Sequence, residues 1–246
     1  MNYLITKKQF VFDMVDEIVN VARAVHYEIS YLNHVSKSDV ISESSFKYPA
    51  VEWLERKGNG EFVLFEKAHP VFLSRKYDIR WGRESSPSYL EMKYVKKDTA
   101  GKTEQQRYFN DLLRLAHILL FNQKARAFFL ACGEIENWTP CFQYLGMKAP
   151  IGNVPVVPYR EGGKAEAKAV EGVYSQWFSF DSSDSCRTID SDQYKDFYTA
   201  FMEEYKFRNK SLNHLDRIEF KTSLEWISEI NSLYSPCVTA AWEITL

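Results

Sequence analysis

The chain has 246 residues, of which 45% are hydrophobic and 26% charged, an ordinary globular mixture that allows a sizeable core. Its formal net charge is −2, so the overall basic excess that usually marks an extended phosphate-binding surface is absent. The opening MNYLITKKQF leads into a stretch interrupted by Asp13, Asp16, Glu17 and Arg23, which excludes both a signal-peptide apolar block and a membrane span of about 20 apolar residues. A soluble, cytoplasmic protein without membrane contact is expected.

Residues 7–32 set Phe10, Met14, Val15, Ile18, Val21, Ala22, Val25, Ile29 and Leu32 at steps of three and four, which predicts one long amphipathic helix packing as a cover. A Ser-rich break, SKSDVISESS, separates it from a second, short helical pattern in FKYPAVEWLERKG. Pro49 is tolerable there only near the first turn, and Gly58 ends the segment. Three runs rich in aromatic and β-branched residues follow, EFVLFEKAH, KYDIRW and SYLEMKYV, with turn residues between them, and predict a strand meander.

After the turn KKDTAGK, Phe109, Leu112, Leu113, Ala116 and Leu120 define one face of a helix over 103–120, and ARAFFLACGE reads as a buried strand. Residues 134–190 show no sustained period, so a long loop and small irregular strands both remain open. SDQYKDFYTAFMEEYKF places Tyr194, Phe197, Tyr198, Phe201, Met202 and Tyr205 on one helical face. CVTAAWEITL alternates as a final strand.

Cys132, Cys141, Cys186 and Cys237 lie far apart with no CxxC spacing, which fits reduced, buried thiols better than disulfides or zinc. The histidines His26, His34, His69, His117 and His214 form no HxH or HExxH pair.

Chemistry concentrates in the second and third strands. The two-residue strand period puts Glu91 and Lys93 on one face of SYLEMKYV, opposite Leu90, Met92 and Tyr94. In KYDIRW it groups Asp78 with Lys76 and Arg80, opposite Tyr77, Ile79 and Trp81. Paired as a hairpin, the strands bring two carboxylates and an ammonium to one site. That grouping suits Mg²⁺, which prefers oxygen ligands and is commonly held by one or two carboxylates plus substrate phosphate.

Asp78 followed by Glu91-Met92-Lys93 within an apolar strand, in the order helix, three strands, helix, strand, resembles the PD-(D/E)XK nuclease superfamily. The resemblance covers about residues 43–133 and implies an α/β fold, the restriction-endonuclease-like αβββαβ core with a central mixed sheet flanked by helices. It implies Asp78 and Glu91 as ligands of Mg²⁺, with Mn²⁺ able to substitute, the Met92 main-chain carbonyl as a further ligand, and Lys93 as the catalytic lysine. Residue 77 is Tyr where the family pattern has Pro. Many members add a Glu from the first core helix, and Glu43 is expected to fill that place because it shares a helical face with Phe46, Ala50 and Leu54. Gln105, like Gln106, sits in the first turn of the next helix, from which some members reach the site with a Gln. The alternative for either is a solvated first-turn residue.

Between residues 75 and 107 nine cations face five carboxylates, so this segment is expected to line a substrate channel. Lys96, Lys97, Lys102 and Arg107 follow the catalytic strand directly. Trp81 and Trp138 could stack bases, but core packing is the stronger reading for both.

A single domain over 1–246 is expected, with residues 134–246 as an extension that shapes substrate access or a dimer contact. The expected function is Mg²⁺-dependent hydrolysis of phosphodiesters, in DNA before RNA. The rival is a catalytically inactive nucleic-acid- or protein-binding module on the same fold, and a small-molecule hydrolase using the same carboxylates is a third reading.

Overall fold

The computed structural model describes residues 17–35, 41–57, 62–96, 102–138, 142, 177–180, 186–209, 215–228 and 237–246. In chain order the elements are α1 (Glu17–His34), α2 (Glu43–Lys57), β1 (Leu64–Phe65), β2 (Ile79–Arg83), β3 (Ser86–Val95), α3 (Lys102–Phe121), β4 (Arg126–Glu134) and α4 (Ile135–Trp138). Then come β5 (Arg187–Asp190), a 3-10 turn (Ser191–Tyr194), α5 (Lys195–Glu204), β6 (Glu219–Ile227) and β7 (Cys237–Thr245). The fold is α/β: one mixed seven-stranded sheet, in the order β1-β2-β3-β4-β7-β6-β5, with helices on both faces. The expected succession of helix, three strands, helix and strand is present from α2 to β4.

β1, β2 and β3 form the expected antiparallel meander. β3 and β4 run parallel, which requires a crossover, and α3 supplies it. At the end of that pairing Val95 and Gly133 lie side by side, and a Cβ on Gly133 would stand 2.6 Å from the Val95 carbonyl oxygen, so the close approach explains a glycine inside a strand.

The strand periods sort side chains onto two cores. Leu90 and Met92 of β3, with Phe128, Leu130 and Cys132 of β4, face Ile18, Val21, Ala22, Val25 and Ile29 of α1 and Phe46, Ala50 and Leu54 of α2. Tyr89 and Val95, with Ala127, Phe129 and Ala131, face α3 and α5 on the other side. α1 is thus a cover, as its periodicity predicts. Phe10, Met14 and Val15, the first part of that pattern, lie outside the described residues. Cys132 and Cys237 are buried cysteines in no disulfide, Cys186 is a partly exposed one, and Cys141 lies outside the described residues. Trp81 stacks on Phe128 and is buried, and Trp138 is buried against Phe142 and Trp242, so both are core residues.

Four expectations need correction. Only Leu64–Phe65 of EFVLFEKAH pairs as a strand. The segment after it turns through positive φ at Glu66 and Ser74, a conformation that breaks strand pairing. β2 begins at Ile79, so Asp78 precedes the strand, and Tyr77 packs edge-to-face on Tyr89 in the α3-side core, not with Ile79 and Trp81. α2 begins at Glu43 and carries Pro49 in its interior, where the ring removes one helical N–H without ending the helix. Leu120 is exposed, whereas Tyr108, Leu115, Ile118 and Leu119 join Phe109, Leu112, Leu113 and Ala116 in the core. α3 is buried on more than one side because α5 packs on it as a further layer.

The C-terminal residues complete the sheet. β7 pairs antiparallel with β4 and β6, with Val238, Ala240, Trp242 and Ile244 on the α3 side as their alternation predicts. β5 and β6 are additions that periodicity did not predict. In β6 the register shifts between Leu224, opposite Trp242, and Trp226, opposite Ala241, so a bulge sends Leu224 and Trp226 to opposite faces and disguises the strand period. No helix among the described residues is long and apolar enough to cross a membrane.

Two buried histidines lie beside Phe72, Phe201 and Phe207. His69 Nδ1 accepts the N–H groups of Val71 and Phe72 at 3.1 and 3.2 Å, and His117 Nδ1 donates to the Leu113 carbonyl at 2.7 Å. Burial pushes His69 down to about 3, helped by the nearby Arg114, His117 and Arg208, and burial pushes His117 down to about 4. Both rings therefore stay neutral in the folded chain, while the unfolded chain takes up protons below its ordinary value of 6.5. Stability contributed by neutral rings is intact above that value and is lost as pH falls towards 4. At pH 5 the loss should be about 2 kcal/mol per ring. Urea unfolding at pH 7 and pH 5 measures it, and equal midpoints would contradict it.

Candidate active site

β3 carries the polar pair into the interior. Its alternation turns Tyr89, Glu91, Lys93 and Val95 towards α3 while Leu90 and Met92 anchor the opposite face. Glu91 is 2% exposed, an expensive place for a carboxylate unless its charge is matched.

Asp78 arrives by a different route. The last pair between β2 and β3 is Ile79 with Leu90, so the chain before Ile79 diverges from β3 and pairs with the β1 side, where the Glu66 N–H donates to the Asp78 carbonyl at 2.9 Å. A notch opens beside Met92, whose N–H has no strand opposite it on that edge. The Asp78 carboxylate fills the gap: Met92 N–H donates to Oδ2 at 2.7 Å. In a strand the N–H and C=O of one residue point to the same edge, so the Met92 carbonyl also faces the notch.

Two helices supply cations. Lys47 of α2 reaches Asp78 Oδ1 at 2.8 Å and Glu66 Oε1 at 3.2 Å. Arg114 of α3 donates through Nη2 to Glu91 Oε2 at 2.9 Å, bonds Asp111 Oδ1 with the same nitrogen, and through Nη1 reaches the Lys76 carbonyl at 3.2 Å. Asp111 Oδ2 in turn lies 2.8 Å from Lys93 Nζ. A continuous chain of charge results, Lys93 to Asp111 to Arg114 to Glu91, with Asp78 and Lys47 beside it.

The electrostatics follow from burial. Desolvation pushes the Glu91 carboxyl well above the usual carboxylate range, Asp78 and Asp111 add to the push, and Arg114 and Lys93 oppose it. Burial would raise Asp111 as well, but Lys93 and Arg114 outweigh it and hold that carboxyl below its ordinary value. Burial would lower Lys47, yet Asp78 and Glu66 outweigh it and raise the ammonium. Glu91 Oε1 is buried and has no hydrogen-bond partner among the described residues, while Oε2 is taken by Arg114.

Asp78, Glu91 and Lys93 thus stand close enough for the charges of Asp78 and Lys93 to act on Glu91. Glu43 opens α2 and Gln105 lies in the first turns of α3, but the side chains of both, with that of Gln106, lie outside the described residues. Of the basic residues after β3, Lys96 and Arg107 are exposed; Lys97 and the Lys102 side chain lie outside the described residues. Sequence reasoning missed Lys47, Asp111 and Arg114. The signal for the last two was present: opposite charges three residues apart interrupt the apolar run FNDLLRLAHILL, where a buried helix face should be uncharged.

No protein-family model, curated protein or solved structure matches the chain.

The ion chain has a measurable cost of rupture. Arg114→Met leaves Glu91 and Asp111 without their shared cation and should reduce stability by about 3–5 kcal/mol. In an Asp111→Leu/Arg114→Met variant the loss should be smaller than the sum of the single changes. Additive losses in urea unfolding would show that the two side chains are energetically independent.

Proposed function

We infer that the chain is a metal-dependent nuclease of the PD-(D/E)XK type that hydrolyses phosphodiester bonds, in DNA before RNA. The observation that carries this reading is the notch at Met92. There Asp78 accepts the main-chain N–H of the residue between Glu91 and Lys93, on a strand that leads into a β3-α3-β4 crossover.

The residues present fit a hard cation in kind. Asp78, Glu91 and the Met92 carbonyl are all oxygen donors, and Glu91 Oε1 is a buried acceptor with no hydrogen-bond partner among the described residues. These three would hold Mg²⁺, or Mn²⁺ in its place. When bound, the ion supplies a water of lowered pKa and offsets charge on the phosphate. Lys93 would orient that water or bind the phosphate, and the exposed Lys96 and Arg107 would contact a passing backbone.

One observation favours the rival, a binding module without catalysis. Lys47, Lys93 and Arg114 already match Asp78, Asp111 and Glu91 in charge, so the set is neutralised from within. Among the described residues no group of three or more His, Cys, Asp or Glu side chains is placed to hold a metal.

Cleavage assays separate the readings. Linear, circular, single-stranded and branched DNA should be cut with Mg²⁺ or Mn²⁺ and spared with EDTA. Asp78→Asn, Glu91→Gln and Lys93→Ala should each lower the rate by about 100-fold or more. Each variant breaks an ion pair and should melt at a lower temperature, so cleavage is compared where circular dichroism shows all of them folded. Asp78→Asn and Glu91→Gln should hold or raise metal-free DNA affinity, because a carboxylate beside the phosphate path is gone. Near wild-type cutting by all three folded variants would place the chemistry elsewhere.

A further inference from the structure

α3 raises a question that fold stability does not answer. It is buried between the sheet and α5, and apolar side chains at Asp111 and Arg114 would hold such a helix at least as well as a buried ion pair, whose desolvation commonly cancels its attraction. The charges stand where α3 meets Glu91 and Lys93.

Their contacts divide the work. Asp111 Oδ2 is 2.8 Å from Lys93 Nζ, and Arg114 Nη2 is 2.9 Å from Glu91 Oε2. Spaced three apart on a helix, the two side chains also bond one another, and the Lys76 carbonyl holds the second guanidinium nitrogen. The guanidinium plane is therefore fixed from three directions. With Oε2 occupied, Glu91 has Oε1 left, buried and without a hydrogen-bond partner among the described residues.

We propose that Asp111 and Arg114 are positioning residues of the phosphodiesterase site: Arg114 clamps Glu91 so that Oε1 is presented to the cation, and Asp111 fixes where the Lys93 ammonium stands. The proposal rests on the nuclease reading above. It assigns to α3 the outer partners that ligating carboxylates and catalytic groups require, whose loss typically costs 10- to 100-fold in metal affinity or activity.

The test uses the full chain with Arg114→Lys, which keeps the charge but loses the planar fork, and Asp111→Asn, which keeps the shape but loses the charge. Mn²⁺ affinity is measured by calorimetry without DNA, and cleavage by single-turnover kinetics. Arg114→Lys should weaken Mn²⁺ binding by about tenfold or more, because it acts through Glu91. Asp111→Asn should slow single-turnover cleavage by a similar factor, with a smaller change in Mn²⁺ affinity, because it acts chiefly through Lys93.

A merely structural pair would lower the melting temperature and leave both readouts unchanged. If wild type binds Mn²⁺ and cuts, and both folded variants match it, the positioning roles are refuted while the nuclease reading stands. If wild type neither binds nor cuts, the nuclease reading falls and this proposal with it. Should Arg114→Lys fail to fold, the wild-type Arg114 Nε–H resonance decides: Mn²⁺ should broaden it, and an unaffected signal overturns the clamp.

Discussion

The buried carboxylates Glu91 and Asp111 are held in one connected set with Lys93 and Arg114, and that set constrains the elements around it. Glu91 and Lys93 belong to β3, Asp111 and Arg114 to α3, so the ion pairs lock the helix to the strand in one register. Sliding α3 by a turn would leave buried charges unmatched, a penalty larger than any single apolar contact could recover. The parallel pairing of β3 with β4 depends on the same helix, because α3 is the crossover between them.

The second constraint is the divergence of the chain before Ile79. A regular hairpin would have continued β2 opposite Met92 and closed that edge with main-chain bonds. Instead the Asp78 carboxylate substitutes for a strand neighbour, and it does so with one oxygen while Lys47 takes the other. Asp78 therefore has a structural duty whichever functional reading holds. On the nuclease reading a divalent cation must compete with Lys47 for the Asp78 carboxylate while taking the Glu91 oxygen that Arg114 leaves. That is a matter of relative affinity and not of which residues are present.

How much of this was legible follows from how regular each segment is. The alternation of SYLEMKYV sufficed to put Glu91 and Lys93 on one face and Leu90 and Met92 on the other, because β3 has no irregularity over that stretch. KYDIRW misled at Tyr77, because a bend at Asp78 breaks the period that the grouping with Ile79 and Trp81 assumed. For α3 the apolar face was recognised but taken as single. α5 is brought back over the helix by tertiary packing, which no local pattern announces, setting Phe197 on Phe109 and Phe201 on His117, while Leu115, Ile118 and Leu119 are buried as well. Lys47 carries no local signal, since the partner that gives it meaning lies 31 positions away at Asp78. β6 stayed hidden behind a bulge that reverses its phase midway.

The place of β7 between β4 and β6 bears on how the chain reaches this state. The sheet has no continuity from its β1-to-β4 half to its β6-β5 half until residues 237–245 are inserted. Before that step β4, with its run of buried side chains, presents an open hydrogen-bonding edge. Such long-range closure forms late and slowly compared with the local β2-β3 hairpin. Cutting the chain ahead of Cys237 would therefore leave two half-sheets with raw edges, a species primed for self-association, even though every residue of the candidate site would still be present.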